Sequence, residues 1–78
     1  MRVLALGGSG GMGRFAVETS MYFDNVSEIV VADINAEEAI KFADSMNEKV
    51  SGIGLDVTDI DALKEQMDKA DVVLNTVG

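Results

Sequence analysis

Three glycines near the start of the chain have a spacing that can bring the backbone against a phosphate. Gly8, Gly10 and Gly13 follow the pattern G-x-G-x-x-G within the stretch LALGGSGGMGR, directly after an apolar run. In this pattern the first glycine permits a tight turn, the second lets the backbone approach a pyrophosphate, and the third lets a helix pack closely on a strand. Free N–H groups at the start of that helix hold the phosphate oxygens, so the pattern predicts a dinucleotide site.

The same loop also fits a wider spacing, which leaves the subclass of site open. Gly7, Gly10 and Gly13 satisfy G-x-x-G-x-x-G, as in short-chain dehydrogenase-like proteins. The alternative is a plain strand-to-helix turn in a domain that binds nothing. We take the whole loop as candidate cofactor-binding residues, namely Gly7, Gly8, Ser9, Gly10, Gly11, Met12 and Gly13.

A carboxylate stands at the distance from this loop that a ribose contact requires. Asp33 follows the apolar run 29–32 and lies 20 residues after Gly13, where an acid accepts hydrogen bonds from the adenosine ribose hydroxyls. A 2′-phosphate about 4 Å away would be repelled by ~4 kcal/mol per unit charge at an effective dielectric constant of ~20. Asp33 therefore predicts NAD, with NADP possible if Arg14 or Lys41 compensates the charge. Its alternative role is that of a solvated residue at a strand end.

Further candidates for cofactor contact also follow apolar runs. Ile34 and Asn35 come next along the chain, and Asn35 can cap a helix. Asp56 with Val57 suits the edge of an adenine base, and equally Asp56 could cap a helix start together with Thr58. After the fourth run the candidates are Asn75, Thr76, Val77 and Gly78, which an ordinary chain end explains as well.

The elements that must position these residues alternate along the chain. Strands are predicted over residues 3–6, 29–32, 50–55 and 72–74, and helices over 11–23, over 36–46 and from Thr58 onward. The order βαβαβαβ implies parallel strands joined by right-handed crossovers. We therefore predict one α/β domain over residues 1–78, a Rossmann-type open parallel sheet with strand order 3-2-1-4 and helices on both faces.

Helical spacing also predicts which side chains face the sheet. For the helix over 36–46, which Asn35 caps, the inner face is predicted as Ala39, Ile40, Ala43 and Met46. Thr58 and Asp61 approximate a capping box for the last helix. The inner face of that helix is predicted as Ile60, Leu63 and Met67.

Composition restricts the chemistry and the partners. The chain has no cysteine and no histidine, which rules out disulfides, thiol nucleophiles and the commonest general acid–base group. Its formal net charge of −8 argues against nucleic acid and anionic membrane surfaces, since both require a basic patch. No apolar run approaches the ~20 residues of a membrane span, and nothing looks like a targeting segment, so we expect a cytoplasmic protein.

Four stretches of the sequence together resemble a known family. VLALGGSGGMGR, EIVVADIN, GLDVTD and ADVVLNTVG together resemble the amino-terminal Rossmann part of saccharopine dehydrogenase-like (saccharopine reductase-like) oxidoreductases, over all 78 residues. The resemblance implies that the glycine loop holds the pyrophosphate, Asp33 faces the ribose, and Asp56 with Val57 lies near adenine. It also implies that residues 75–78 pass close to the cofactor. Family members often carry Arg after the strand-two aspartate, where this chain has Ile34, which weakens the case for NADP.

The same resemblance implies what this chain would need from elsewhere. In that family the substrate and catalytic residues come from a domain after the fourth strand, and the one tyrosine, Tyr22, has no Lys four positions on to make a Tyr-x-x-x-Lys pair. We therefore expect a dinucleotide-binding amino-terminal fragment of an oxidoreductase, with no catalytic residue of its own. Its partners would be the rest of the parent polypeptide and, weakly, a second copy through the exposed sheet edge. The alternatives are a regulatory nucleotide sensor of the potassium-uptake type and a structural module without ligand.

Overall fold

Four strands and two helices account for the regular structure of the computed structural model, which describes residues 1–7, 24–46 and 48–75. They are β1 (Arg2–Leu6), β2 (Glu28–Asp33), α1 (Ala36–Asp44), β3 (Val50–Gly54), α2 (Ile60–Asp68) and β4 (Val72–Asn75). The predicted helix over 11–23 lies outside the described residues. The other predicted elements are present, with their ends shifted by one or two residues.

The four strands form one parallel sheet in the order β3-β2-β1-β4, which confirms the predicted topology. Short runs of β-branched and aliphatic residues favour strands that are buried on both faces. The chain moves outward from β1 through β2 to β3 and then returns to the other side of β1. Parallel strands put their carboxyl ends at one edge, and ligands of open α/β sheets bind there, beside the point where the strand order reverses.

Two apolar clusters cover the two faces of the sheet. Because side chains alternate along a strand, Val3 and Ala5 point to one face while Leu4 and Leu6 point to the other. The first face packs against α1. The second face packs against Ala62 and Leu63 of α2 and against Ala70, which follows that helix. Helices therefore flank both faces of the sheet, as predicted.

The inner face of α1 differs from the prediction at one position. Ala39 and Ala43 are buried and Met46 packs against the cluster, as expected, but Ile40 is 48% exposed. Phe42 takes the place expected of Ile40 and is only 6% exposed. Phe42 lies three residues after Ala39 and belongs to the same stripe, and an aromatic side chain buries more apolar area there than Ile40 could from the neighbouring stripe.

The start and the inner face of α2 also differ from the prediction. Asp59, not Thr58, is the N-cap, because its side chain accepts a hydrogen bond from the Ala62 N–H at 3.3 Å. Ile60 and Met67 are exposed, while Leu63 is half-buried as expected and packs together with Ala62. Ala62 and Leu63, and not Ile60 and Met67, are therefore the side chains of this helix that meet the sheet.

Candidate functional site

The carboxyl ends of the first three strands converge at a single cavity. Beyond the strand ends, the Gly7 N–H donates to the Ala32 carbonyl at 2.7 Å and the Leu55 N–H donates to the Asp33 carbonyl at 2.8 Å. These bonds continue the sheet ladder and hold the three chain segments side by side. The cavity has a volume of about 350 Å³ and is lined by Gly7 and residues 32–34 and 55–58.

Gly7 shows why a glycine must follow the first strand. Its φ is +72°, in the left-handed region that side chains with a Cβ rarely adopt. The residue turns the chain at the point where its own N–H still bonds to β2. A strand buried on both faces therefore ends sharply at the cavity.

Asp33 is held by the residue that begins the next helix. Its Oδ1 accepts a hydrogen bond from the Asn35 N–H at 3.1 Å, and the Asn35 side chain accepts one from the Glu38 N–H at 3.2 Å. Asn35 is thus the N-cap of α1, as predicted, with extended backbone angles that suit a cap. The two bonds connect the carboxylate at the end of β2 to the first turn of the helix. Ile34, between them, is 77% exposed.

Asp56 is held in a similar way at the end of the third strand. Its Oδ1 accepts hydrogen bonds from the Thr58 hydroxyl at 2.7 Å and from the Thr58 N–H at 2.9 Å. These two bonds, the hydroxyl first, keep the pKa of the Asp56 carboxyl below its ordinary value of 3.8, and burial opposes them only slightly. Asp56 is therefore a fixed carboxylate at neutral pH. Asp56 and Thr58 close a turn just before α2 and do not form its cap.

The charge of the cavity wall is negative. Its lining carries two carboxylates, Asp33 and Asp56, and no basic side chain among the residues that the structure describes. Arg2 pairs with Glu28 at 2.5 Å, at the opposite, amino end of the strands. Lys41 lies in the last turn of α1, roughly 7.5 Å along the helix axis from its first residue at 1.5 Å per residue. An anion at the cavity would meet no cation from the described wall.

Some of the candidate residues lie together at the cavity, and others lie outside the residues that the structure describes. Those that line the cavity are Gly7, Asp33, Ile34, Asp56 and Val57. Asn35 is bonded to Asp33, and Asn75 ends β4 in register with Leu6 at the same edge of the sheet. The candidates outside the described residues are Gly8, Ser9, Gly10, Gly11, Met12, Gly13, Thr76, Val77 and Gly78.

Three residues that were not candidates also line the cavity, namely Ala32, Leu55 and Thr58. Ala32 and Leu55 are buried lining residues that directly precede the two carboxylates in the chain, and no pattern in the sequence marks them as part of a site. Thr58 did carry a signal, because a hydroxyl residue two positions after an aspartate is typical of a turn in which the carboxylate accepts its N–H. The prediction that Thr58 caps the helix is wrong, because Asp59 is the N-cap.

The described residues contain neither a group of metal-ligating side chains nor a membrane-spanning helix. Within residues 1–7, 24–46 and 48–75, no three acidic, histidine or cysteine side chains come close enough to hold a metal ion. Over those ranges no helix has the length and apolar character needed to cross a bilayer.

Comparisons with known proteins identify the family and agree with the fold. The family model of the saccharopine dehydrogenase NADP-binding domain matches residues 3–78. A type-2 3-hydroxyacyl-CoA dehydrogenase from Mycobacterium avium has a similar structure, with a TM-score of 0.79 and 23% identity, over 99% of this chain and 32% of that one. A dTDP-glucose 4,6-dehydratase from Bacillus anthracis, solved in complex with NAD, gives a TM-score of 0.73 and 17% identity, over 100% of this chain and 27% of that one. No curated protein sequence matches the chain. The chain thus spans less than a third of the length of these solved structures, and the likeness to them shows the fold.

Proposed function

Since the chain belongs to the saccharopine dehydrogenase NADP-binding domain family, we propose that it binds a nicotinamide adenine dinucleotide at the carboxyl edge of its sheet and prefers NAD to NADP. The observation that carries the proposal is the cavity between Gly7, Asp33 and Asp56. It lies where open parallel sheets bind nucleotides, and its two carboxylates are oriented by hydrogen bonds from within their own turns. The adenosine half of the cofactor is assigned to this cavity.

The preference for NAD is argued from the charge around Asp33. A ribose with free hydroxyls donates to the carboxylate, whereas a 2′-phosphate brings like charge against it. At about 4 Å, that repulsion ranges from ~1 kcal/mol per unit charge in water to ~4 kcal/mol at the surface of a protein. The described cavity wall offers no base to offset it, and the exposed side chain next to Asp33 is Ile34. The name of the family refers to NADP, so this chain would differ from its family in the choice of cofactor.

The glycine loop is assigned to the pyrophosphate. The pattern of Gly8, Gly10 and Gly13 follows directly on Gly7, whose N–H is already bonded at the end of β1. Because the described wall is acidic, backbone N–H groups are the donors best suited to hold the phosphates. Residues 75–78 are proposed to approach the cofactor from the end of β4.

The proposed role of the domain within an enzyme is to hold the cofactor. We infer that the whole protein is an oxidoreductase and that another part of it binds the substrate and supplies the catalytic groups. The family match supports this class, while nothing observed favours a regulatory sensor or a module without ligand.

A cofactor titration of the protein tests the proposal. Backbone amide shifts and dissociation constants would be measured with NAD and with NADP, for the wild type, for Asp33→Ala and for the matched control Asp44→Asn at the far end of α1. We expect the wild type to bind NAD more tightly than NADP, with amide shifts at residues 7, 33 and 56. In Asp33→Ala only, the ratio of the NADP to the NAD dissociation constant should fall by roughly tenfold or more. An absence of shifts at millimolar dinucleotide would overturn the binding proposal.

A second variant separates cofactor choice from binding. If Arg14→Ala weakens NADP binding while NAD binding is unchanged, Arg14 compensates the charge of the 2′-phosphate. Stronger binding of NADP than of NAD by the wild type would overturn the preference and leave the dinucleotide site in place.

A further inference from the structure

The third strand ends at Gly54, which lies opposite Asp33 in the sheet. The two residues are partners in the parallel register of β2 and β3, and the Leu55 N–H donates to the Asp33 carbonyl at 2.8 Å. The backbone of Asp33 is therefore fixed to the third strand at the level of Gly54. Three residues after Asp33, the helix α1 begins at Ala36.

The start of α1 returns to the same point of the third strand. A Cβ at position 54 would lie 2.8 Å from the Ala36 Cβ and 3.5 Å from the Ala36 Cα. Two carbon atoms in contact are ordinarily about 3.5–4.0 Å apart, so the contact has no room for a second methyl group. Among the described residues only Gly7 has a positive φ, so position 54 requires a small residue for reasons of space and not of backbone conformation.

The turn between Asp33 and Ala36 therefore has both of its ends against Gly54. Within this turn the Asn35 N–H donates to Oδ1 of Asp33 at 3.1 Å. Because N–H···O bonds have lengths of about 2.7–3.2 Å, this bond is near the upper end of the range and tolerates little lengthening. A displacement of Ala36 moves Asn35, its neighbour in the chain, and with it the donor that orients the carboxylate.

We propose that Gly54 is a positioning residue for the choice of cofactor: because it has no side chain, the first turn of α1 closes on β3 and holds the Asn35 N–H against Asp33. The inference rests on the proposed function, in which Asp33 accepts from the adenosine ribose of NAD. Gly54 does not line the cavity, so it acts through the turn. A carboxylate turned away from the ribose loses the hydroxyl contacts of NAD and repels the 2′-phosphate of NADP less.

The two glycines of β3 have different consequences for the protein. At position 52 the obstacle to a Cβ is the backbone of Ala39, which is buried. At position 54 the nearest atom is a side-chain methyl group, and both Gly54 and Ala36 are exposed. The first turn of α1 can therefore move outward while the rest of the helix stays packed. An added methyl group at position 54 should change the orientation of Asp33 more than it changes the free energy of unfolding.

Moving the methyl group from the helix to the strand tests this arrangement. Gly54→Ala adds a Cβ on the strand, Ala36→Gly removes the Cβ that it would meet, and the combined variant has one methyl group in the contact, as the wild type does. Dissociation constants of NAD and NADP would be measured for the wild type and the three variants. We expect the ratio of the NADP to the NAD constant to fall roughly fivefold in Gly54→Ala, and to stay within about twofold of the wild type in the other two.

A measurement without cofactor observes the turn itself. The proton shift of the Asn35 amide in NMR spectra reports its hydrogen bond to Asp33, because a bonded amide proton is deshielded. We expect an upfield shift of this proton in Gly54→Ala, since the bond is lengthened, and a return to the wild-type shift in the combined variant. An Asn35 amide that does not respond to Gly54→Ala would overturn the inference.

The outcomes of the titration separate this inference from the proposed function. If the wild type binds neither dinucleotide, or binds them without a preference for NAD, the proposed function fails and the inference fails with it. If the wild type prefers NAD and Gly54→Ala keeps the full preference, the inference is overturned and the dinucleotide site stands.

The combined variant distinguishes a positioning role from a merely structural one. A preference that it does not regain would overturn the inference, because contact between the two methyl groups would then not be the cause. An unfolded Gly54→Ala would overturn it as well, since the contact would then serve stability. Because two affinities are compared within each variant, a general loss of stability does not produce the expected pattern.

Discussion

A β-carbon at position 52 would lie 2.3 Å from the carbonyl oxygen of Ala39, so Gly52 is where helix α1 rests directly on the backbone of β3. Atoms do not approach that closely, and the obstacle is main chain, which cannot rotate away. The interruption of the third strand by glycine thus serves the packing of the helix that follows Asp33.

Gly52→Ala is therefore expected to destabilise the protein, although alanine is ordinarily better than glycine in a strand by ~0.5–1 kcal/mol. Forcing α1 away from the sheet should cost about 1–3 kcal/mol in the free energy of unfolding, measured by urea denaturation. Ser51→Ala, at the exposed neighbouring position, is the control and should change the free energy by less than ~0.5 kcal/mol. Greater stability of Gly52→Ala would contradict the close approach.

The corrected face of α1 makes a second prediction. Phe42→Ala removes a buried aromatic side chain and should lower the free energy of unfolding by about 3–5 kcal/mol. Ile40→Ala removes a side chain that is 48% exposed, in a helix where alanine has the higher propensity, so the change should stay under ~1 kcal/mol. Thermal or urea unfolding of the two variants measures the difference. Equal losses in the free energy of unfolding would contradict this assignment and would favour the predicted inner face, which includes Ile40.

A third prediction concerns the cap of α1. Asn35→Ala leaves the Glu38 N–H without its side-chain acceptor and should cost ~1 kcal/mol of stability. Asn35→Asp keeps an acceptor at the helix start and should cost much less. Amide hydrogen exchange in the first turn would report the fraying, and protection that is identical in Asn35→Ala and the wild type would argue against the cap.

The Asp56–Thr58 pair predicts a dependence on pH. Because the pKa of Asp56 is lowered in the folded protein, the pair contributes stability above the ordinary pKa of 3.8, and that contribution is lost as the pH falls through the folded-state pKa. In Thr58→Val the largest cause of the shift is removed, so the pKa of Asp56 should rise toward 3.8. Carboxyl titration by NMR measures both values. A curve for Asp56 that does not move would show that the hydroxyl bond is absent in solution.

The sheet could be predicted from the sequence because its signals are local and redundant. The run Ile29 to Ala32 is β-branched and apolar, and alternation with helical segments leaves few topologies once crossovers are right-handed. Asn35 was also recognised as a cap, since few residue types other than asparagine satisfy the free N–H groups at a helix start.

The helix faces could not be read in full because short helices offer overlapping stripes. In α2, Leu63 belongs both to the predicted stripe with Ile60 and to the observed one with Ala62, and only contact with the sheet decides between them. The cap was ambiguous for a related reason. Thr58 and Asp59 are adjacent and both can cap, but it is the Asp59 side chain that accepts the helical N–H, whereas the Thr58 hydroxyl donates to Asp56.

For the candidate site, the two carboxylates were found because each directly follows an apolar run. Their mutual arrangement was not predicted, because the cavity depends on hydrogen bonds between strands that are distant in the sequence, such as that from Gly7 to Ala32. The role of Thr58 depends on which of two partners its hydroxyl meets, and that is decided by three-dimensional structure.

The parallel sheet also determines which end of the protein suits attachment to a surface. The Met1 amine donates to the carbonyl of Asn25, and Arg2 and Asp71 are joined by two hydrogen bonds at the amino ends of β1 and β4. Five residues of β1 separate this end from the cavity, a span of roughly 16 Å at ~3.3 Å per residue. A tether or an affinity label joined at Met1 would therefore emerge from the far end of the sheet, and a molecule immobilised in that way would present its cavity to the flowing solution.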